Sequence, residues 1–307
     1  MNHKFHYDTP KQSLRWLRVH EAFSPARQDF SCQATYQQGT QAAAELCGAA
    51  AVELVSLGCG GGQKELELLR ALRAAQPARP VTYLPTDVST SLTLIARAAA
   101  VAGKLVAAED CVPLVLDLAE TADWQQALGA RLRPGVRRVV TFFGMLPNFT
   151  PAQALPRLAG LLAPGDALLV SANLAPGSDY AAGVRQVFPL YDNALTAEWL
   201  FSVLADLGVT GDDGRVEFQI AACPEGSGLL RIEADFVFGR DCSVNYADQK
   251  LHFAAGTRFG LFFSYRHTPG EVKRLFAEQQ LTLRAQWLNV TADEGVFLLQ
   301  RNPPAAP

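Results

Sequence analysis

Short apolar runs alternate with helical stretches through the first half of the chain, and this alternation constrains the fold more than any other feature. The apolar runs cover residues 52–57, 81–84, 112–116, 136–143 and 166–172, and the helical stretches lie near residues 64–75, 90–101, 121–131 and 151–162. Strands joined through helices pair in parallel, because the connection must cross back over the sheet before the next strand begins. The alternation therefore predicts a doubly wound α/β domain whose mainly parallel sheet is covered on both faces.

The pattern changes after residue 180. Residues 183–207 have helical spacing, whereas residues 216–238 and 249–263 alternate apolar and polar positions as strands do. We interpret this part as an inserted α+β segment.

The end of the chain predicts a return to the main sheet. A helix is expected at residues 269–279, followed by two strands at 281–288 and 295–300 that would form an antiparallel hairpin. We expect the tail NPPAAP, residues 302–307, to be frayed.

Composition and charge exclude several classes of protein. The chain has 307 residues, of which 49% are hydrophobic and 19% charged, so it can bury one sizeable core and a smaller second region. The net charge of −3 and the scattered Lys and Arg residues give no basic surface for a phosphate backbone, so we expect no nucleic-acid partner. The six cysteines form no CxxC pair and do not cluster with histidines, so we expect no metal site and no disulfide framework.

The hydropathy of the sequence predicts neither a signal peptide nor a membrane-spanning helix. The first ten residues lack the apolar run of a signal peptide, and no segment approaches the roughly 20 apolar residues that a membrane helix needs. We therefore expect a cytoplasmic protein with no membrane partner. We also expect a monomer or a homodimer.

A glycine loop, Gly58-Cys59-Gly60-Gly61-Gly62, follows the first strand. Glycines at this turn allow positive φ and let a ligand approach the backbone closely. A dinucleotide fingerprint beginning at the first glycine would need Gly or Ala at position 63, where the chain has Gln63. A Walker A motif is also absent, because Lys64 lacks the preceding glycine pattern and is followed by Glu65. The loop alone indicates a nucleotide-like ligand.

Two acidic residues narrow the choice of ligand. Asp87 closes the second strand and Asp117 follows the third, so both are expected at the carboxyl edge of the sheet, where ligands of open α/β sheets bind. A carboxylate can accept both hydroxyl protons of a ribose diol. Asp87 is therefore expected to bind the ribose of S-adenosylmethionine (SAM), and Asp117 to accept from the adenine amino group. The alternative is that both acids only cap the helices that follow them.

The fourth strand ends in FFGMLPNFTP, and Asn148 is its polar group best suited to a methyl acceptor. A side-chain amide offers an acceptor and two donors, so it can hold an amine and a neighbouring carboxylate together. The alternative is an ordinary asparagine in a turn that contains proline. Methyl transfer from a sulfonium depends mainly on an in-line approach, so we expect positioning rather than a catalytic triad.

These motifs, taken in order, resemble the histidine-specific methyltransferases of ergothioneine biosynthesis, which trimethylate the α-amine of histidine. The resemblance covers nearly the whole chain. Its motifs are GCGGGQK from Gly58, Pro85-Thr86-Asp87, Asp117, Pro147-Asn148-Phe149, the YDNALTAEWLFSVL segment from Tyr191, Phe262-Phe263-Ser264-Tyr265-Arg266-His267, Trp287 and Phe297.

The resemblance implies a division of labour along the chain. A Rossmann-like SAM-dependent methyltransferase domain would comprise residues 44–180 and 266–307, and an α+β substrate-binding domain would comprise residues 1–43 and 181–265. The donor-binding residues that it implies are Gly58, Cys59, Gly60, Lys64, Asp87, Asp117, Leu118, Phe143 and Gly144. Those that would surround the acceptor's amine, carboxylate and ring are Tyr7-Asp8, Asn148, Tyr191 and Ser264, with Asn148, Tyr7 and Tyr191 in the catalytic roles. Phe23 is a further expected substrate-binding residue.

The side-chain pocket departs from the family at three positions. The family's imidazole-binding glutamate falls on Phe262, a ring-lining methionine on Ala234, and a tyrosine on Ala22 of Glu21-Ala22-Phe23. Replacing a buried glutamate with phenylalanine removes the acceptor for imidazole and supplies apolar contact. Histidine should then be a poor substrate, and the loss of a tyrosine at Ala22 leaves open an amine without a carboxylate.

The sequence therefore predicts an N-methyltransferase of specialised metabolism that acts on a small amino-acid-like or aromatic or heterocyclic amine other than histidine. Two alternatives remain: an L-histidine N-alpha-methyltransferase, and a non-catalytic protein that senses a ligand with the same fold. A nicotinamide-dependent dehydrogenase is disfavoured by Gln63.

Overall fold

The computed structural model describes residues 1–301 and divides into two compact units. We call Met1–Gln28 with Ala175–Arg266 the insertion unit, and Asp29–Leu174 with the residues from His267 onward the sheet unit. The predicted frayed tail, residues 302–307, lies outside the described residues.

The elements are numbered in chain order. The helices are α1 (Pro10–Phe23), α2 (Pro25–Gln28), α3 (Phe30–Leu46), α4 (Gln63–Ala75), α5 (Thr90–Ala102), α6 (Trp124–Gly129), α7 (Pro151–Gly160), α8 (Tyr180–Val187), α9 (Ala194–Asp206) and α10 (Pro269–Ala277). The strands are β1 (Val52–Leu57), β2 (Val81–Asp87), β3 (Leu114–Val115), β4 (Arg137–Phe142), β5 (Ala167–Asn173), β6 (Gly214–Ala222), β7 (Leu230–Phe238), β8 (Cys242–Tyr246), β9 (Gln249–Phe253), β10 (Arg258–Arg266), β11 (Leu281–Leu288) and β12 (Glu294–Arg301). None of the helices within residues 1–301 is long and apolar enough to cross a bilayer.

The sheet unit contains the predicted doubly wound sheet. Over the described residues its strand order is β11-β12-β5-β4-β1-β2-β3, with β1 to β5 parallel and β12 antiparallel to both β5 and β11. Every residue of β1 is buried, as expected for a strand covered on both faces. The parallel core and the closing antiparallel hairpin are both confirmed.

The strand order reverses beside β1, which pairs with β2 on one side and with β4 on the other. The chain leaves β1 toward β2 and leaves β4 toward β5, in opposite directions along the sheet. The carboxyl ends of β1 and β4 therefore border a crevice that loops do not fill. The loops after β1 and β4 therefore lie where an open α/β sheet binds its ligand.

The insertion unit has an antiparallel sheet in the order β10-β7-β6 and a separate β8–β9 hairpin. Its core is aromatic: Trp199 of α9, Phe236 and Phe238 of β7 are almost completely buried. Because side chains alternate along a strand, Phe262, Ser264 and Arg266 lie on one face of β10.

Several elements differ from the sequence expectations. The strand expected at 112–116 is only two residues long, because Pro113 cannot donate to the ladder and β3 is an edge strand. The helix expected at 183–207 is split into α8 and α9 around Pro189 and the N-cap Asn193. The expected strand at 249–263 is interrupted at 254–257, and β8 was missed.

The boundary between the units also differs from the expected one, because residues 29–43 belong to the sheet unit. Helix α3 carries most of this segment and lies against β12, where the Cβ of a residue at Gly39 would be 2.6 Å from Val296 Cγ1. Tyr36 on the same helix hydrogen-bonds to Glu294 of β12. A glycine is thus needed for the close approach of helix and sheet.

Replacing Gly39 with alanine should lower the free energy of unfolding by about 1–3 kcal/mol, because the added methyl group overpacks this contact. Gly129→Ala is the control: a Cβ at this helical glycine would meet no atom within 4 Å, so stability should stay the same or rise slightly. Urea denaturation of both variants measures the difference. Equal losses would contradict a close contact between α3 and β12.

Candidate functional site

The glycine loop adopts a conformation that other residues tolerate poorly. Gly58, Gly60 and Gly62 have φ values of +71°, +51° and +75°. A Cβ at Gly62 would lie 2.7 Å from Ala96 Cβ and 3.0 Å from Ala96 Cα, and one at Gly58 would lie 2.5 Å from Met145 Sδ. The loop therefore packs against α5 and against the segment that follows β4, and this packing requires glycine at positions 58 and 62.

Hydrogen bonds tie this loop to the end of β2. Cys59 N–H donates to the Thr86 carbonyl (2.8 Å), and Gly60 N–H donates to Asp87 Oδ2 (2.9 Å). The other carboxylate oxygen, Asp87 Oδ1, accepts from Ser89 N–H (2.9 Å). Helix α5 has Ser89 as its N-cap, so Asp87 is not that helix's cap and instead holds the glycine loop.

Burial raises the pKa of Asp87 to about 6, although the hydrogen bonds from the Ser89, Gly60 and Val88 amides oppose the shift. A carboxylate in this environment is poorly solvated, so it gains from any further hydroxyl donor placed within reach. This is the property required to bind a ribose diol.

Asp117 follows β3 at the same edge of the sheet, but its environment differs. Its Oδ1 accepts from the N–H groups of Ala119 (3.0 Å) and Glu120 (3.2 Å), so it caps a turn. The neighbouring Leu118 is buried, and its carbonyl accepts from the Trp124 indole N–H (3.0 Å). Asp117 therefore caps this turn rather than α6, whose N-cap is Asp123, and its part in adenine binding stays a prediction.

Lys64 begins a hydrogen-bond network that the sequence analysis missed. Its ammonium donates to Tyr36 OH (2.7 Å) and lies over the Tyr36 ring, and this phenol in turn donates to Glu294. Glu294 also accepts from Asn173 Nδ2 (3.0 Å). Burial and the nearby Glu294 carboxylate raise the pKa of Tyr36 well above its usual value. The network fixes the Lys64 side chain relative to α3 and to β5.

The loop after β4 carries the remaining candidates of the sheet unit. Phe143 is buried and packs edge-on against Tyr36, with ring centroids 5.4 Å apart. Gly144 N–H donates to Ser171 Oγ (2.8 Å), and a Cβ at this glycine would meet nothing within 4 Å. Asn148 is half-buried at the end of a 3-10 turn, and its side-chain amide forms no hydrogen bond with any residue of the described chain. The amide is thus available to a ligand.

A buried carboxyl group directly after the glycine loop was also not predicted from the sequence. Glu65, in the first turn of α4, accepts from Ser56 Oγ of β1 (2.9 Å) and from Thr141 Oγ1 of β4 (3.0 Å). Burial raises its pKa. Glu65 thus joins the start of α4 to β1 and β4, the two strands between which the strand order reverses. Its role is to position the glycine loop.

In the insertion unit, the two substituted pocket residues are direct neighbours. Phe262 of β10 pairs across the sheet with Ala234 of β7. The Phe262 ring has aromatic neighbours on several sides: His3, Tyr191 and Trp199 lie with ring centroids 5.4, 6.1 and 6.1 Å away. Desolvation lowers the pKa of His3 to about 3, so this imidazole is neutral near pH 7.

The other predicted acceptor residues separate into two groups. Tyr7 packs edge-on against Trp199 and Trp16, with centroids 5.7 and 5.8 Å away, and Tyr191 OH lies 3.4 Å from Ser264 Oγ. The structure thus packs Tyr7, Ala234 and Phe262 in the aromatic core, with Tyr191 stacked on Phe262 and Ser264 near the Tyr191 hydroxyl. Ala22 and Phe23 lie in the last turn of α1, where Ala22 is exposed, and within residues 1–301 neither belongs to that core.

Sequence comparison agrees with the fold and with the use of a methyl donor. Residues 33–301 match the profile of the family described as "Histidine-specific methyltransferase, SAM-dependent". A histidine N-alpha-methyltransferase from Mycolicibacterium smegmatis is 29% identical over 279 residues, covering 85% of this chain and 79% of the relative. The protein of the same name from Mycobacterium tuberculosis is 32% identical over 260 residues, covering 80% of this chain and 74% of the relative.

A candidate methyltransferase from Thermobifida fusca has a similar structure. Its TM-score is 0.52 at 11% identity, covering 99% of this chain and 95% of the other. At this identity the likeness concerns the fold alone, and it agrees with the Rossmann-like sheet described above.

The parallel sheet, the positive-φ glycine loop and the buried acid at the next strand end define a SAM-dependent methyltransferase of the Rossmann-like class. The profile match extends over most of the chain, so the protein belongs to the histidine-specific, SAM-dependent methyltransferase family. The residues fit the methyl donor: the loop after β1 is a turn that packing and positive φ restrict to glycines, and Asp87 offers a fixed, poorly solvated carboxylate for the ribose.

The affinity for S-adenosylhomocysteine should rise as pH increases from 5 to 7, by about tenfold, because Asp87 binds the diol as the carboxylate and its pKa is about 6. The stability of the ligand-free protein should change in the opposite direction. The folded-state pKa lies above the ordinary value of 3.8, so stability is lost as pH rises from about 4 to 6.

Asp87→Asn should weaken binding and remove both pH dependences, whereas Asp123→Asn, which keeps a helix cap on α6, should retain them. Calorimetric titration at several pH values measures the affinity. A pH-independent affinity in the unsubstituted protein would contradict the role of Asp87.

Proposed function

We propose that this chain is an N-methyltransferase for a small amino-acid-like amine with an aromatic or apolar part, other than histidine. The pairing of Phe262 with Ala234 supports this proposal more than any other observation. By the family resemblance, these two positions correspond to a glutamate and a methionine that bind and line the imidazole. Here both are apolar and lie opposite each other on neighbouring strands.

The two substitutions complement each other in volume. Phenylalanine is larger than the glutamate it replaces, and alanine is smaller than methionine, so the increase at Phe262 is offset at Ala234. Cβ atoms of paired residues lie about 4.5–5.5 Å apart, close enough for one side chain to fill the space left by the other. The cross-strand pairing also supports the alignment, because both departures fall on one site.

The altered pocket disfavours histidine for an energetic reason. An imidazole N–H that enters this pocket would lose its hydrogen bond to water, and Phe262 offers no acceptor in exchange. An unsatisfied buried donor costs about 1–3 kcal/mol, and sites that lack the required partner discriminate strongly against the polar analogue. The rings of Phe262, Tyr191 and Trp199 favour an aromatic or aliphatic group instead.

The donor, when bound, supplies a sulfonium methyl group that reacts without acid catalysis. The glycine loop and Asp87 would hold the donor, and the acceptor nitrogen would need an unprotonated lone pair and would lose one proton on gaining the methyl group. We assign Asn148 to hold the amine through its free amide, and Tyr7 and Tyr191 to orient the acceptor. Positioning of this kind can supply much of the rate enhancement of a two-substrate reaction.

Histidine N-alpha-methylation is the second candidate, because the relatives of 29% and 32% identity carry that name and Asn148, Tyr191 and Ser264 match the family. A non-catalytic sensor is distinguished by donor binding without methyl transfer to any amine of a broad panel. A dehydrogenase is distinguished by binding of a nicotinamide cofactor.

Phe262→Glu should raise kcat/KM for histidine by at least tenfold, because it restores a charged acceptor for the imidazole. Phe262→Leu is the matched control, which removes the ring without adding an acceptor and should leave histidine a poor substrate. Transfer of labelled methyl groups to histidine and to a panel of aromatic amines measures both. Robust trimethylation of histidine by the unsubstituted protein would refute the proposed specificity, and equal gains in both variants would refute the role of Phe262.

A further inference from the structure

Arg266 is a buried cation without a carboxylate partner among residues 1–301. It ends β10 and is 1% exposed. Its Nη2 donates to Ser264 Oγ (3.1 Å), its guanidinium lies 4.6 Å from the centre of the Tyr191 ring, and its buried Nε has no hydrogen-bond partner. Arg138 of the sheet unit shows the usual arrangement, with Glu53 3.1 Å away and Asp166 3.8 Å away.

The surroundings of Arg266 compensate its charge only in part. Removing a guanidinium from water is costly unless an anion and further hydrogen bonds replace the hydration. A neutral hydroxyl and the face of a tyrosine ring are weaker partners than a carboxylate. The planar fork of arginine is suited to a carboxylate, which can accept two parallel hydrogen bonds.

Arg266 is also part of an ordered row on one face of β10. Alternate residues of a strand share a face, so Phe262, Ser264 and Arg266 follow one another as ring, hydroxyl and cation. Tyr191 contacts all three: it stacks on Phe262, lies 3.4 Å from Ser264 Oγ through its hydroxyl, and lies beneath the Arg266 guanidinium. The row therefore offers an apolar surface at one end and a positive charge at the other.

We infer that Arg266 binds the carboxylate of the methyl acceptor, which makes the acceptor an aromatic or apolar amino acid rather than a simple amine. This inference rests on the proposed function and narrows its substrate class. The sequence left an amine without a carboxylate open because of Ala22. The unpaired guanidinium decides in favour of the carboxylate, with the acceptor's side chain toward Phe262.

Matched pairs of ligands test the inference without any variant. Calorimetry with saturating S-adenosylhomocysteine compares L-phenylalanine, L-tyrosine and L-tryptophan with phenethylamine, tyramine and tryptamine. At least one amino acid should bind at least tenfold more tightly than its decarboxylated amine. The inference is overturned if none of the amino acids binds, or if each amine binds as tightly as its amino acid.

Variants of Arg266 locate the effect. Arg266→Gln should weaken binding of the amino acid by about 10- to 100-fold, the loss expected for a charged hydrogen bond, and leave binding of the amine unchanged. Arg266→Lys, which keeps the charge without the fork, should lie between the two. Equal weakening of amino acid and amine would overturn the inference. The donor also carries a carboxylate, so a selective loss of S-adenosylhomocysteine affinity in Arg266→Gln would overturn it as well.

The stability of the ligand-free protein gives a second readout. Arg266→Met replaces the cation with an apolar chain of similar length, so the melting temperature should not fall, whereas the shift produced by the bound amino acid should disappear. A lower melting temperature together with an unchanged amino-acid shift would show a purely structural arginine.

These measurements separate the inference from the proposed function, because they record binding rather than turnover. Selective amino-acid binding that depends on Arg266, without methyl transfer, would uphold the inference and refute the proposed function. Methyl transfer that favours the decarboxylated amine would do the reverse.

Discussion

The hydrogen bond from Gly60 N–H to the buried carboxylate of Asp87 is the interaction on which the donor side of this protein depends. It joins the loop after β1 to the end of β2, while Ser89 N–H fixes the second oxygen at the start of α5. Since burial raises the pKa of Asp87 to about 6, the ionised group is held at some cost in the ligand-free protein. Because this carboxylate is poorly solvated, it gains from hydrogen bonds donated by hydroxyl groups. Binding of SAM and the local fold are therefore linked.

Features encoded by nearby residues could be predicted from the sequence. The periodicity of residues 52–57 and of the helix after them, the glycines and Asp87 are local patterns, and the structure places them as expected at the switch point. The Lys64 network could not be predicted in this way, because Tyr36 is 28 residues from Lys64 and 258 from Glu294. Only the packing of α3 on the sheet brings these groups together. For the same reason the expected domain boundary differs at α3 from the division into two compact units.

The residues of the proposed acceptor site show a different limit of prediction from the sequence. In the sequence, Phe262 and Ala234 are two separate departures from a family pattern, 28 positions apart along the chain. The register of β10 against β7 places them opposite each other. The larger side chain at Phe262 is offset by the smaller one at Ala234. Arg266 is a further case: the sequence shows only a basic residue, and only the structure shows that its guanidinium is buried beside Tyr191 and Ser264.

The donor site and the acceptor site proposed on the face of β10 therefore depend on different elements. The donor site uses backbone amides, glycine φ values and one carboxylate, all fixed by the parallel sheet, so most substitutions there would disturb the fold. The face of β10 uses side chains whose neighbours can change in pairs without altering the strand ladder, because ladder hydrogen bonds involve only the backbone. Under the proposed function, a change from a glutamate–methionine pair to Phe262 and Ala234 would redirect the enzyme to another acceptor while the chemistry at the sulfonium stays the same.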